Sequence, residues 1–424
     1  MINNNDNSTL FLPSSMIEKR DSELFSQTIN KIFSDSNSFE PKVNTFLKHL
    51  EKYPILSKYF ENEEIILYIM SYVDDDAYRK SILKWFSKLA FLSSEFTNKI
   101  CKLDLHDHIL SFYYGSSKEE CVYILGILGC SISDHSDVIA PFDFIFYILN
   151  QLPRDRFESN HLIVKAILYT FRIFCNSYKC NYDWFLLVFE FSNVIFSDFE
   201  YYSVFLTEIF WIATIFIYQY EDACAFLNEN GFVKSSLLIL GSESLVHLWD
   251  KIFDFFSCFI IKADERIKVD INPQMLIDIV KSHKVPNSII SSLFNFVSEL
   301  MNLKPNIFNN INTDTFYSLC SGIIEYGNFQ DKSNLVKLFN AILAFSNDEL
   351  VYFVLTHLFD FISSFASSSE YCSDVIISLK KAIANHGYAF FSEFREKIMN
   401  FIDDCHYESM PDIDMTLFLD NQSD

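Results

Sequence analysis

The sequence predicts an all-helical protein on three observations: too few turn residues for a sheet, apolar residues at helical spacing, and a longer interval of about forty residues laid over that spacing. The 424 residues include 8 glycines and 9 prolines, where average usage gives about 30 and about 20. Sheets turn on residues that tolerate positive φ or hold it at about −65°. A sandwich, barrel or doubly wound sheet of this length is therefore excluded. The 46 phenylalanines and an aromatic share of 17% pull the other way on strand propensity. Burial overrides so weak a preference, and the period decides. Half of the residues are hydrophobic and 21% are charged, ample material for a large core.

Taken in order, residues 1–40 are polar and rich in Asn and Ser, with one weak helix over 17–33. Helical stretches then follow one another over 41–402. Eight open on apolar pairs, beginning at Ile82, Val122, Ile163, Val204, Leu245, Ile289, Leu335 and Val375, at successive spacings of 40 to 46 residues. A polar run precedes each: Asp74-Asp75-Asp76, Ser116 to Glu120, Glu158-Ser159-Asn160, Asp198, Gly241-Ser242-Glu243, Asn287-Ser288, Asp331 to Asn334, and Ser367 to Glu370. These are cap and turn residues placed where each long helix should begin. The cleanest amphipath is 245–260. Leu245, Leu248, Trp249, Ile252, Phe253, Phe256, Phe259 and Ile260 share one stripe, with Asp250, Lys251, Asp254 and Ser257 opposite. The same stripe recurs over 289–301 and 335–343. Trp85, Trp211 and Trp249 fall on apolar stripes and are expected in the core.

Within one unit the pattern is more specific. Residues 221–242, EDACAFLNENGFVKSSLLILGS, read as a short helix, a turn at Gly231, a second helix and a Gly-Ser break. Residues 96–115, FTNKICKLDLHDHILSFYYG, repeat the phrase with Asp104 in the glycine's place. This resembles the armadillo-repeat family, with HEAT-like two-helix units the near alternative. The resemblance covers about 62–402. It implies a right-handed α-solenoid of about seven to eight armadillo/HEAT-like units over 41–402, elongated rather than spherical. A mostly disordered segment, 1–40, and an acidic disordered tail, 403–424, are expected at its ends.

The same resemblance implies a concave groove as the working surface. In the nuclear-import adaptors of this superfamily, a Trp and an Asn four positions later recur on successive third helices and hold a basic peptide. Here those rungs carry Leu83 and Ser87, Tyr123 and Ile127, Ser291 and Asn295, Lys337 and Ala341. Only Asn295 fits that pattern. Ser87, Ser291, Asn295 and Lys337 are the polar candidates for binding a partner's backbone.

Motifs for chemistry are missing. No phosphate loop, dinucleotide glycine run, HExxH or GxSxG occurs. Gly126 and Gly129 lie in an apolar helix and suit close helix packing better than phosphate binding. His106-Asp107-His108 has Cys101 a turn upstream, but residues i and i+2 of a helix diverge, so the imidazoles cannot share one ion. Cys175 and Cys180 lack a second pair, and Asp403-Asp404-Cys405-His406 stands in the acidic end. No catalytic, cofactor-binding or metal-binding residue is assigned.

The formal charge is −23; residues 403–424 carry seven acids and no Lys or Arg, leaving −16 on residues 1–402. So acidic a chain repels phosphate backbones and anionic lipid, and attracts basic extended segments. No secretory signal is visible, so the ten cysteines are expected as reduced thiols in cytoplasm or nucleus. The stretch 201–220 is the best membrane candidate, yet it contains Glu208 and lacks flanking basic residues; a buried helix is preferred. TLFL occurs at 9–12 and 416–419, as a docking motif, a coincidence of composition or, for the second copy, a cap over the last repeat. The function expected is a non-enzymatic scaffold or adaptor for extended segments of other proteins. The rivals are a transport adaptor for basic cargo, a helical regulatory subunit of an enzyme, and a membrane-associated helical protein.

Overall fold

The computed structural model describes residues 21–34, 38–135, 141–152, 161–263, 271–305, 307–366 and 371–405. Of these, 83% are helical, and no strand occurs among them. The chain divides into two units, Met1–Ile215 and Phe216–Asp424. Both TLFL segments, His406, and the polar runs at 158–160 and 367–370 lie outside the described residues.

The first unit runs through α1 (Asp21–Phe33), α2 (Phe39–Lys52), α3 (Glu63–Met70) and α4 (Asp76–Leu92). It continues through α5 (Ser94–Lys102), α6 (Leu105–Ser111), α7 (Lys118–Asp134) and α8 (Phe142–Leu149). Then come α9 (His161–Ser177), α10 (Tyr182–Ser197) and α11 (Ser203–Gln219), in which the division falls. The long helices pack in chain order, α2 on α4, α4 on α7 and α7 on α9. Local chemistry sets their starts. Asp75 accepts from the Ala77 N–H to open α4, and Ser117 with Glu120 forms a reciprocal capping box on α7. Asp104 has a φ of 53°, the left-handed turn that Gly231 makes at 75° between α12 (Ala223–Glu229) and α13 (Phe232–Ile239). The aspartate therefore performs the glycine's turn.

The second unit continues with α14 (Trp249–Lys262), α15 (Pro273–Ser282), α16 (Asn287–Leu303) and α17 (Thr313–Tyr326). It closes with α18 (Phe329–Phe345), α19 (Asp348–His357), α20 (Phe359–Ala366), α21 (Cys372–His386), α22 (Tyr388–Phe391) and α23 (Arg395–Asp404). Again the long helices pack serially, α14 on α16, α16 on α18 and α18 on α21. The predicted stripe of 245–260 is buried throughout, as are those of α16 and α18. Phenylalanine rings fill the joints: Phe296 of α16 lies 5.7 Å from Phe256 and 6.3 Å from Phe253 of α14.

Polar contacts between helices repeat one interval. In the first unit they include Lys84 to Asn44, Thr97 to Asp134, Thr170 to the Leu125 carbonyl and Arg172 to Glu208. In the second they include Asn295 to Ser257 and Asn334 to Ser291, joined by a loop contact from the Asn347 N–H, at the cap of the helix at 348–357, to Asn309 in a turn. All span 36 to 45 residues of sequence. The long helices of each unit are thus tied to counterparts about forty residues away.

Several expectations are corrected. Residues 243–248 form a 3-10 turn with a break at Leu245, and α14 starts at Trp249. Ser257 is buried and donates to the Phe253 carbonyl rather than facing solvent. Asp198 ends α10 and its carboxylate accepts from the Tyr201 N–H; it does not cap α11. α18 begins earlier than expected, capped by Asn328 and Asp331 together, so Ser333 and Asn334 lie buried inside it. Trp85 and Trp249 are fully buried, but Trp211 is 39% exposed. Two cysteines are not free thiols: Cys372 and Cys405 are bonded, joining the start of α21 to the end of α23. Among the described residues no single helix is long and apolar enough to cross a membrane; α19 and α20, bent by 64°, pass that test only as a pair. The core of the 201–220 stretch is buried, with Glu208 ion-paired to Arg172.

Candidate partner-binding groove

In the first unit, four serial helices line a cavity of about 730 Å³. α2 contributes Asn44, Leu47, Lys48 and Glu51, and α4 contributes Lys84, Ser87, Lys88 and Phe91. Each set follows the i, i+3, i+4, i+7 face of its helix. α7 adds Tyr123, Gly126 and Cys130, and α9 adds Tyr169.

The polar groups are positioned by their neighbours. Lys84 Nζ donates to Asn44 Oδ1 at 2.6 Å, and Lys88 Nζ stands 3.1 Å from Glu51 Oε1. Lys48 is exposed and has no ion pair among the described residues. Three lysines therefore face one glutamate on a chain whose formal charge is −23. Phe91 ends the α4 stripe with 71% of its surface exposed.

Close helix packing explains the glycines. A Cβ at Gly126 would stand 2.7 Å from Ser87 Oγ, and one at Gly129 would stand 3.0 Å from the Tyr169 ring. Burial, reinforced by Asp134, pushes the Cys130 thiol up to about 11. It stays protonated at neutral pH and is no ready nucleophile. Burial also raises Tyr123 and Tyr169, leaving neutral hydroxyls. One turn beyond Tyr169, Arg172 donates to Glu208 Oε2 at 2.6 Å and lies over the Tyr169 ring at 5.1 Å. Glu208 is 8% exposed, so the guanidinium is held by a buried carboxylate.

Of the residues expected from sequence, Ser87 lines this cavity. The other three lie in the second unit. Ser291 is 3% exposed and accepts from Asn334 Nδ2 at 2.9 Å; it bridges α16 and α18 from inside and offers nothing to an arriving partner. Lys337 donates to Asn295 Oδ1 at 3.3 Å, and Asn295 donates to Ser257 Oγ at 3.4 Å. These contacts make a ladder across α14, α16 and α18. Leu83, Ile127 and Ala341, placed on rungs by the import-adaptor pattern, are buried. In the first unit that register therefore meets the open face only in part, at Ser87 and Tyr123, and the face on α4 starts at Lys84. Sequence reasoning also missed Asn44, Lys48, Lys88, Phe91 and Tyr169. The available signal was the equal stripes of 44–51 and 84–91, one interval apart.

The remaining clusters do not converge. His106 Nε2 lies 3.2 Å from Asp107 Oδ1, whereas His108 Nε2 lies 3.5 Å from Asp74 Oδ1. Among the described residues no group of three or more His, Cys, Asp or Glu side chains is arranged to hold a metal ion.

These features define an all-helical protein of serially packed long helices with a lysine- and aromatic-lined groove. No protein-family model and no curated protein matches the sequence. Among solved structures, that of an engineered protein is similar at a TM-score of 0.47, with 9% identity over 92% of this chain and 90% of that one.

Proposed function

We propose that the chain is a non-enzymatic scaffold of the armadillo/HEAT type, an α-solenoid that binds extended segments of other proteins. The observation that carries this reading is serial packing within each unit: α2, α4, α7 and α9 rest one on the next, as do α14, α16, α18 and α21, and polar contacts recur at 36 to 45 residues within both units. Such stacking aligns equivalent helix faces, and an aligned face makes an extended binding surface without any catalytic group. The left-handed breaks at Asp104 and Gly231, each between two short helices, fit the three-helix armadillo unit. The cavity across α2, α4, α7 and α9 is such a face.

The test is capture of partners by the immobilised full chain, followed by mapping on overlapping peptides of each partner. Recognition of a linear stretch is expected. Partners that bind only as folded domains would overturn the extended-segment reading.

A further inference from the structure

We propose that the groove across α2, α4, α7 and α9 binds an acidic extended segment of a partner protein, with an aromatic or aliphatic side chain among its acids. This rests on the scaffold reading and names its occupant. It also reverses the partner charge expected from composition, because the groove does not share the sign of the whole chain. Lys48, Lys84 and Lys88 line it against Glu51 alone. At about 0.15 M salt the Debye length is about 8 Å. An occupant in contact therefore responds to these lysines more than to distant carboxylates.

The donors are held ready. An ammonium has three N–H groups, and Lys84 uses one on Asn44 while Lys88 is paired with Glu51. Both heads are anchored with donors to spare, and Lys48 has no ion pair among the described residues. Tyr123 and Tyr169 add neutral hydroxyl groups, and the exposed Phe91 ring supplies apolar contact. A basic segment would meet three ammonium groups. A long nucleic acid would extend past the groove onto an acidic body. Four helices at about 9 Å spacing span about 27 Å, the length of about eight extended residues.

The probe is a labelled nine-residue peptide of Asp and Glu around a central Leu-Phe, titrated by anisotropy against the full chain at about 0.15 M salt. Saturable binding is expected. Lys48→Glu combined with Lys84→Glu should weaken it at least about tenfold, whereas Lys102→Glu, an equal charge change per site on exposed α5 surface, should leave it within about twofold. Glu51→Gln should tighten binding by releasing Lys88, a gain that damage to the fold cannot produce. Should the double variant misfold, Lys48→Glu alone serves, since Lys48 is exposed.

Equal binding by the lysine counterpart of the peptide would overturn the proposal, as would tighter binding of oligouridylate or an equal loss in Lys102→Glu. Tenfold tighter binding by a peptide of residues 406–424 would make this chain's own acidic end the occupant and overturn assignment to a partner. Partner capture unchanged by the lysine variants would end the groove assignment while leaving the scaffold reading standing. No saturable capture of any partner would end the scaffold reading.

Discussion

Phe253 is fully buried on α14, with Phe296 of α16 stacked 6.3 Å away. Phe253→Ala removes that contact and leaves a cavity, so it should cost about 3–5 kcal/mol in denaturant unfolding. Arg172 has a different role. Removing it would strand the Glu208 carboxylate, whose side chain is only 10% exposed. Arg172→Ala should cost about 2–4 kcal/mol, and adding Glu208→Gln should recover much of that loss, because a neutral amide needs no counter-charge. If the double variant is no more stable than the single one, the ion pair is not what Arg172 supplies. Cys130 gives a pH readout. With its thiol held at about 11, chiefly by burial, the thiolate fraction near pH 7 is about one in ten thousand. Alkylation of Cys130, followed by peptide mass mapping, should be slow at neutral pH and accelerate towards pH 10.

At the scale of elements, the turns and caps are the testable parts. Asp104 takes a φ of 53°, and its side chain caps nothing on α6. Asp104→Gly relieves a conformation that costs an L-residue about 1–2 kcal/mol, and glycine's greater unfolded-state entropy offsets only part of that gain. The variant should unfold between about 0 and 1 kcal/mol later, whereas Asp104→Val should be destabilised. Ser117 holds the capping box of α7, so Ser117→Ala should cost about 1 kcal/mol. The Ser117 box was legible as a helix start, whereas the equivalent Asn328–Asp331 box of α18 was not. Helix starts were misread at 198 and 331–334, because Asp and Asn also end helices, and in α18 polar residues are buried to bond the neighbouring helix.

At the scale of the whole molecule, the solenoid proposed above implies that stability within each unit is a nearest-neighbour property. Hydrogen exchange on Phe253→Ala should rise in α14 and α16, which touch the deleted ring or its neighbours, and stay near the parent rate in α21. Uniform acceleration through the second unit would show stronger coupling than serial packing provides. The aromatic excess also finds its place at this scale. Rings such as Phe256, Phe294 and Phe339 pack across joints between helices, which strand propensity could not anticipate.

The sequence by itself determined the helical class, the interval of about forty residues and the buried stripes of α14, α16 and α18, because these follow from steps along one helix and from the scarcity of turn residues. Tertiary structure decided the rest. Lys84 and Lys88 face a groove, and Leu83 is buried beside them, because helix packing selects which polar flank stays open. Ser291 is enclosed because Asn334 arrives from a helix 43 residues later. Trp211 stays partly exposed near Arg172, although its stripe reads as apolar. Cys372 meets Cys405 across 33 residues that carry no pairing signal. A hydrophobic stripe shows that a helix has an inside. Which neighbour covers it, and which lysines that neighbour leaves facing a common groove, depends on contacts between helices that no single stretch contains.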